Sequence, residues 1–196
     1  MNLQKILIVL LLFNINYFPV YSIEPDVFIQ STVNRASQIL SKNISKEEKI
    51  NELKSIAKET VDIKGIGLYS LGPTRKEIND TQKNKFLKLF ESYFLKSFSS
   101  RLAEYTNPQI EVKGKKVLNK NYTIVNSLLV GTSERPEIKI DWRIYTKNPD
   151  NPLIRDLIIE GLSLARTQKE EFNSIILSAD GDINTLISKL KEFSNS

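Results

Sequence analysis

The residues best placed to do chemistry lie in Glu160-Gly161-Leu162-Ser163-Leu164-Ala165, where Gly-x-Ser-x-Ala falls one residue short of the elbow that presents a nucleophilic serine. Such a serine attacks only when a neighbouring base takes its proton, and that base is usually histidine. The chain has no histidine and no cysteine. Ser-His and Cys-His catalysis, Cys-x-x-Cys redox chemistry and zinc or iron sites built on Cys and His are excluded together. A serine–lysine dyad is the remaining route, but no lysine stands in a Ser-x-x-Lys setting at Ser163. Asp156 and Glu160 form a carboxylate pair, which alone is not glycosidase chemistry; both are expected to accept hydrogen bonds from backbone, Arg or Lys. The expectation is a protein that is no enzyme and needs no metal or cofactor, with Ser163 a structural serine at a strand end.

These residues sit in the second half of the chain, where the period is two. Ile110-x-Val112 opens a strand that Lys113-Gly114-Lys115 breaks, and 122–130 is another. The segment 137–145 alternates, with Ile138, Ile140, Trp142 and Ile144 on one face and Lys139, Asp141, Arg143 and Tyr145 on the other, the mark of a sheet with one buried face. After the Asn148-Pro149-Asp150-Asn151-Pro152 turn, 154–164 returns as a strand in hairpin position. A bulge near Gly161 would switch its register and turn Ile158 and Leu162 toward the helices. Two short helices divided by Asp180-Gly181-Asp182 close the chain.

The first half is helical. One helix is expected from Asp26 to Leu40 with Val27, Val33, Ala36 and Leu40 on one side, and a second behind a capping box of Ser45 and Glu48. The glycine-bearing segment 61–73 reads as a helix junction, since a lone Gly65-x-Gly67 is too weak for a phosphate loop. Asn79 caps the longest helix, which ends near Tyr105 and carries Phe86, Leu89, Phe90, Tyr93, Phe94, Phe98 and Leu102. This aromatic stripe is either ordinary core or the wall of an apolar cavity. The whole predicts an α+β domain, with several helices packed on one face of a curved antiparallel sheet enclosing an apolar pocket.

Residues 1–22 read as a cleavable secretory signal peptide: Lys5, an apolar run from Ile6 to Phe13, and Val20-Tyr21-Ser22 before the cut. The run is far short of the roughly 20 residues of a spanning helix. A single exported domain, 23–196, is expected. Losing Lys5 takes the formal net charge from +5 to +4, a basic balance suited outside the cytoplasm to anionic membranes or acidic partners, or simply to solubility.

Several stretches in order resemble the MlaC family, the periplasmic phospholipid carriers of the Mla lipid-trafficking pathway, also described as toluene-tolerance or ABC transporter auxiliary components. They are 62–72 (DIKGIGLYSLG), 100–112 (SRLAEYTNPQIEV), 140–145 (IDWRIY), 155–172 (RDLIIEGLSLARTQKEEF) and 181–190 (GDINTLISKL). The family's Asp-x-x-x-Glu-Gly-Val-Ser core is matched by Asp156, Glu160, Gly161, Leu162 and Ser163. Two departures stand out. Pro73-Thr74-Arg75-Lys76 replaces a pattern of Arg, an aromatic pair and another basic residue, and Asn151-Pro152-Leu153-Ile154 lacks the usual hairpin aromatic.

The resemblance implies a periplasmic carrier that holds a phospholipid with acyl chains in and headgroup out, passing it between an outer-membrane lipoprotein complex and an inner-membrane ABC transporter to maintain outer-membrane lipid asymmetry. A secreted module for another apolar ligand or a protein partner is the alternative. Two acyl chains hold on the order of 30 methylenes, each worth ~0.8 kcal/mol on leaving water, so a carrier needs an apolar interior more than acids, bases or metals. The expected lining is Leu71, Phe90, Tyr93, Phe94 and Phe98 from the helices and Ile140, Trp142, Ile144, Leu157 and Ile159 from the sheet. Arg143 and Lys139 belong to the pocket mouth, a partner surface or a solvated strand face. No nucleic-acid partner is expected.

Overall fold

The computed structural model describes residues 22–133 and 135–195, so the expected leader lies outside the described residues except for Ser22. Helix α1 (Pro25–Ser41) opens on Pro25, whose missing N–H costs nothing in a first turn. Its buried side is Ile29, Thr32, Val33, Ile39 and Leu40. Val27, expected on that side, is instead 62% exposed, because the helix rolls toward Ile29 and Val33. Helix α2 (Lys46–Thr60) begins with the expected capping box: the Ser45 hydroxyl accepts from the Glu48 N–H and the Glu48 carboxylate accepts from the Ser45 N–H.

The glycine-bearing segment is itself helical, as α3 (Ile63–Ser70), followed by a 3₁₀ turn over Gly72–Lys76. Packing overrides the poor helix propensity of glycine here, since a Cβ at Gly67 would stand 2.8 Å from Phe90 Cδ1. Helix α4 (Asp80–Leu102) carries a second capping box, with Asn79 and Gln82. It ends three residues before Tyr105.

Five antiparallel strands follow in sequential order, β1 (Ile110–Asn119), β2 (Tyr122–Leu129), β3 (Ile138–Tyr145), β4 (Leu153–Ile159) and β5 (Leu162–Ser163), an open sheet. The alternation of β3 holds: Ile140, Trp142 and Ile144 are buried, and register places Thr123, Val125 and Ser127 of β2 on the same inner face. Gly114 does not break β1, because the strand absorbs Lys113 as a bulge between Val112 and Gly114 and continues. Glu160 and Gly161 take positive φ (48° and 82°) in a tight turn, so 154–164 is a strand, a turn and a short return strand rather than one bulged strand. The register shift lies instead at Arg155, where Asp156 pairs with Arg143 while Ile154 pairs with Ile144.

Helices α5 (Leu164–Leu177) and α6 (Ile183–Asn195) complete the chain. α1 packs on β1 and β2, α3 and α5 pack on β4, and α4 has α6, α2 and α3 as its main backbone neighbours. α4 and the sheet thus meet through side chains in one continuous core rather than by close backbone approach. The α+β class, with helices over one face of an antiparallel sheet, agrees with the sequence.

Candidate functional site

The interior between α4 and the sheet is a layer of large apolar side chains. Phe90 is its hub: its ring stacks on Phe86 at 5.7 Å, meets Phe172 of α5 edge-on at 6.1 Å and leans on Tyr93 and Phe94. Phe94 and Phe98 stack at 5.5 Å one turn further along α4. Of the ten residues expected to line a pocket, Leu71, Phe90, Ile140, Trp142 and Ile144 are buried, while Tyr93, Phe94, Phe98, Leu157 and Ile159 are half-buried. All except Ile159 join one apolar cluster; Ile159 pairs with Ile140 across β3 and β4. Phe86 and Phe90 are 0% and 1% exposed, whereas Tyr93, Phe94 and Phe98 keep part of their surface accessible. Two depressions of about 410 and 460 Å³ lie at the surface, one beside Tyr69 and Lys169 and one along α1 between Val27 and Gln38.

Polar groups in the layer are few, and those of Ser127, Trp142 and Tyr93 are paired, whereas the buried Ser99 hydroxyl of α4 has no hydrogen-bond partner among the described residues. Ser127 accepts the Trp142 indole N–H at 2.8 Å and donates to the Ile140 carbonyl. Tyr93 Oη donates to Gln168 Oε1 at 2.9 Å. Burial, with the Glu171 charge adding to it, raises the phenol above its usual range and keeps it a donor.

Ser163 is committed to structure. Its Oγ donates to Asp156 Oδ2 at 2.6 Å and accepts the Arg166 N–H at 3.1 Å, which makes it the N-cap of α5. Asp156, 3% exposed, also takes the Ala165 N–H on Oδ1 and stands 3.5 Å from Arg143 Nη1. Glu160, in the turn, accepts from the exposed Lys139 backbone N–H. The Asp156/Glu160 pair thus divides, one carboxylate fastening α5 to β4 and the other tying the β4–β5 turn to β3. On Arg143 the solvated-face reading holds in part, since it is half-exposed and ion-paired.

Sequence reasoning missed two contributors. Phe172 closes the aromatic layer from α5 and was detectable from its i, i+4 relation to the buried Ile176. Arg155 was not detectable, because the register shift at that position re-aims its side chain. Its Nε donates to Asp62 Oδ2 at 2.6 Å, its Nη1 donates to the Tyr122 hydroxyl, and its guanidinium lies 3.8 Å from the Tyr145 ring centroid. Burial opposes its charge, but the Asp62 and Tyr122 hydrogen bonds outweigh it and the pKa is raised. Asp62 in turn caps α3, and its N–H donates to the Ile154 carbonyl, tying α3 to β4.

Fold and interior together define an α+β protein organised around an aromatic apolar layer, with its strongest polar groups used as fasteners. The chain belongs to the MlaC family: the family model described as MlaC protein matches residues 30–192. Among solved structures it is similar to the phospholipid-binding protein from Ralstonia solanacearum, determined in complex with a phospholipid. The TM-score is 0.73 at 17% identity, covering 88% of this chain and 98% of that one. No curated protein matches the sequence.

Proposed function

We propose that the protein is a phospholipid carrier that takes acyl chains into the layer between α4 and the sheet and leaves the headgroup outside. Membership of the MlaC family carries this reading. The phospholipid in the Ralstonia protein of the same fold, and an interior built from large apolar side chains of both layers, support it. Leu71, Phe90, Tyr93, Phe94, Phe98, Ile140, Trp142, Ile144, Leu157 and Ile159 are the residues assigned to the tails. The half-buried Tyr93, Phe94 and Phe98 are the rings that turn aside to admit the tails. Transfer between an outer-membrane lipoprotein complex and an inner-membrane ABC transporter, maintenance of outer-membrane lipid asymmetry, and a periplasmic location reached through the leader at 1–22 complete the proposal.

One observation favours the rival reading of a secreted module for another apolar ligand or a protein partner: Phe86 and Phe90, the most buried rings of the layer, stack on each other as ordinary core does. Organic extraction of the mildly purified protein followed by mass spectrometry separates the two. The carrier reading expects close to one phospholipid per chain. Chains free of phospholipid after purification from a lipid-rich extract would leave the rival standing.

A further inference from the structure

We propose that the depression bounded by Tyr69, Gly72, Arg75, Lys76 and Lys169 binds a phosphate monoester or diester. At about 410 Å³ it is within the range of small-molecule sites. Three cations and one carboxylate, Glu77, line it, and among the described residues none of the three cations has a carboxylate within ion-pair distance. Some surface cations are paired, Arg35 with Glu59 and Lys115 with Glu24 and Asp26 among them, and what sets these three apart is that they line one concavity. Unpaired cations converging on a concavity raise its potential and give an oxyanion several donors at once.

The site is also shaped. Gly72 takes φ +55°, and a Cβ there would stand 3.1 Å from Lys169 Cε, so the lysine stem lies against a position that glycine leaves bare. The Lys169 ammonium is then held 5.5 Å from the Tyr69 ring centroid. The 3₁₀ turn that follows brings Arg75 and Lys76 to the same hollow.

Its place in the fold fits a headgroup. Leu71, immediately before Gly72, is fully buried in the core, and Phe172, three residues after Lys169 on α5, packs against Phe86 and Phe90. A phosphate seated here would lie outside the aromatic layer with the core behind it. The lipid source of the phosphate rests on the carrier reading; the anion site itself does not.

Isothermal titration of the delipidated full chain with inorganic phosphate, a short-chain phosphatidylglycerol below its micelle concentration, and uncharged short-chain diacylglycerol tests this. The triple variant Arg75→Gln, Lys76→Gln, Lys169→Gln should weaken both phosphate probes on the order of tenfold and flatten their salt dependence, leaving diacylglycerol unchanged. Glu77→Gln should tighten the phosphate probes a few-fold, a gain that misfolding cannot produce. A triple variant that binds the phosphate probes like the parent, or a parent that binds neither, overturns the proposal. If phosphatidylglycerol binds no tighter than inorganic phosphate and diacylglycerol does not bind, the anion site stands and the carrier reading falls.

Discussion

At the scale of single residues, the serine that resembles a nucleophile is spent on architecture. Its hydroxyl has one proton, given to Asp156, and it accepts from the Arg166 N–H of the helix it caps. Ser163→Ala should therefore cost about 1 kcal/mol, the usual cost of losing an N-cap, with the lipid recovered per chain unchanged. Asp156→Ala should cost more, about 2–3 kcal/mol, because it strands the buried Ala165 N–H and removes the acceptor for Ser163. Urea denaturation with parallel lipid extraction checks both, and a Ser163→Ala protein that keeps its stability but loses its lipid would refute the structural role. Composition foretold this outcome, since a chain without histidine offers Ser163 no ordinary base. The particular partner, Asp156, was not legible, because only the hairpin at Glu160-Gly161 brings residues 156 and 163 face to face.

At the scale of elements, two contacts set how the layers meet. α3 presses on α4 where Gly67 faces Phe90, and Gly67→Ala should destabilise by about 1–3 kcal/mol despite the better helix propensity of alanine. A thermal melt that rises in this variant would show that the two helices have slack. The N-terminus of α1 is held to β1 by Lys115, which donates to Asp26 Oδ1 at 2.8 Å and to Glu24.

The hydrogen bond from Lys115 lowers the Asp26 pKa, so that contribution is complete above the unfolded value near 3.8 and fades as pH falls through the lower folded value. Asp26 and Glu24 raise the Lys115 pKa, so its contribution is complete below 10.5 and fades as pH rises through the higher folded value. Lys115→Met should thus destabilise at neutral pH by no more than about 1 kcal/mol, as the groups are solvated, and the deficit should shrink as the pH falls below 3.8. Equal deficits at pH 7 and pH 3 would remove the ion pair from the account. Helices with strong local signals were legible: the capping boxes at Ser45 and Asn79 and the alternation of β3 follow from side chains a few residues apart. What escaped depends on distant contacts. Gly65 and Gly67 are helical because Asp62 and Phe90 occupy the space their missing Cβ atoms leave, and Lys113 and Arg155 are bulged because their strands must match partners already paired.

At the scale of the whole molecule, the carrier reading turns on what a layer of packed rings does when tails arrive. Phe94 and Phe98 are half-buried and stacked on each other, so these two can leave at least cost, whereas Tyr93 is held by its hydrogen bond to Gln168 and by the rings of Phe90, Phe172 and Phe193. Phe86, Phe90 and Leu71 are buried at the level of ordinary core and set the floor. Lipid that binds only the folded chain must raise its stability by RT ln(1 + [L]/Kd), about 2.7 kcal/mol when free lipid is a hundredfold above Kd. In a chain of this size that is a rise in Tm on the order of 5–10 °C. Delipidated and reloaded protein should differ by that amount, and fluorescence of the single tryptophan, Trp142, should change with them because it lies on the inner face the tails would cover. Phe94→Trp, or Phe98→Trp, would add a reporter at the proposed entrance, with quenching by brominated acyl chains as the readout. A melting temperature and spectra indifferent to lipid would mean that the aromatic layer is a core and nothing more, and the function would then have to be sought on the surface.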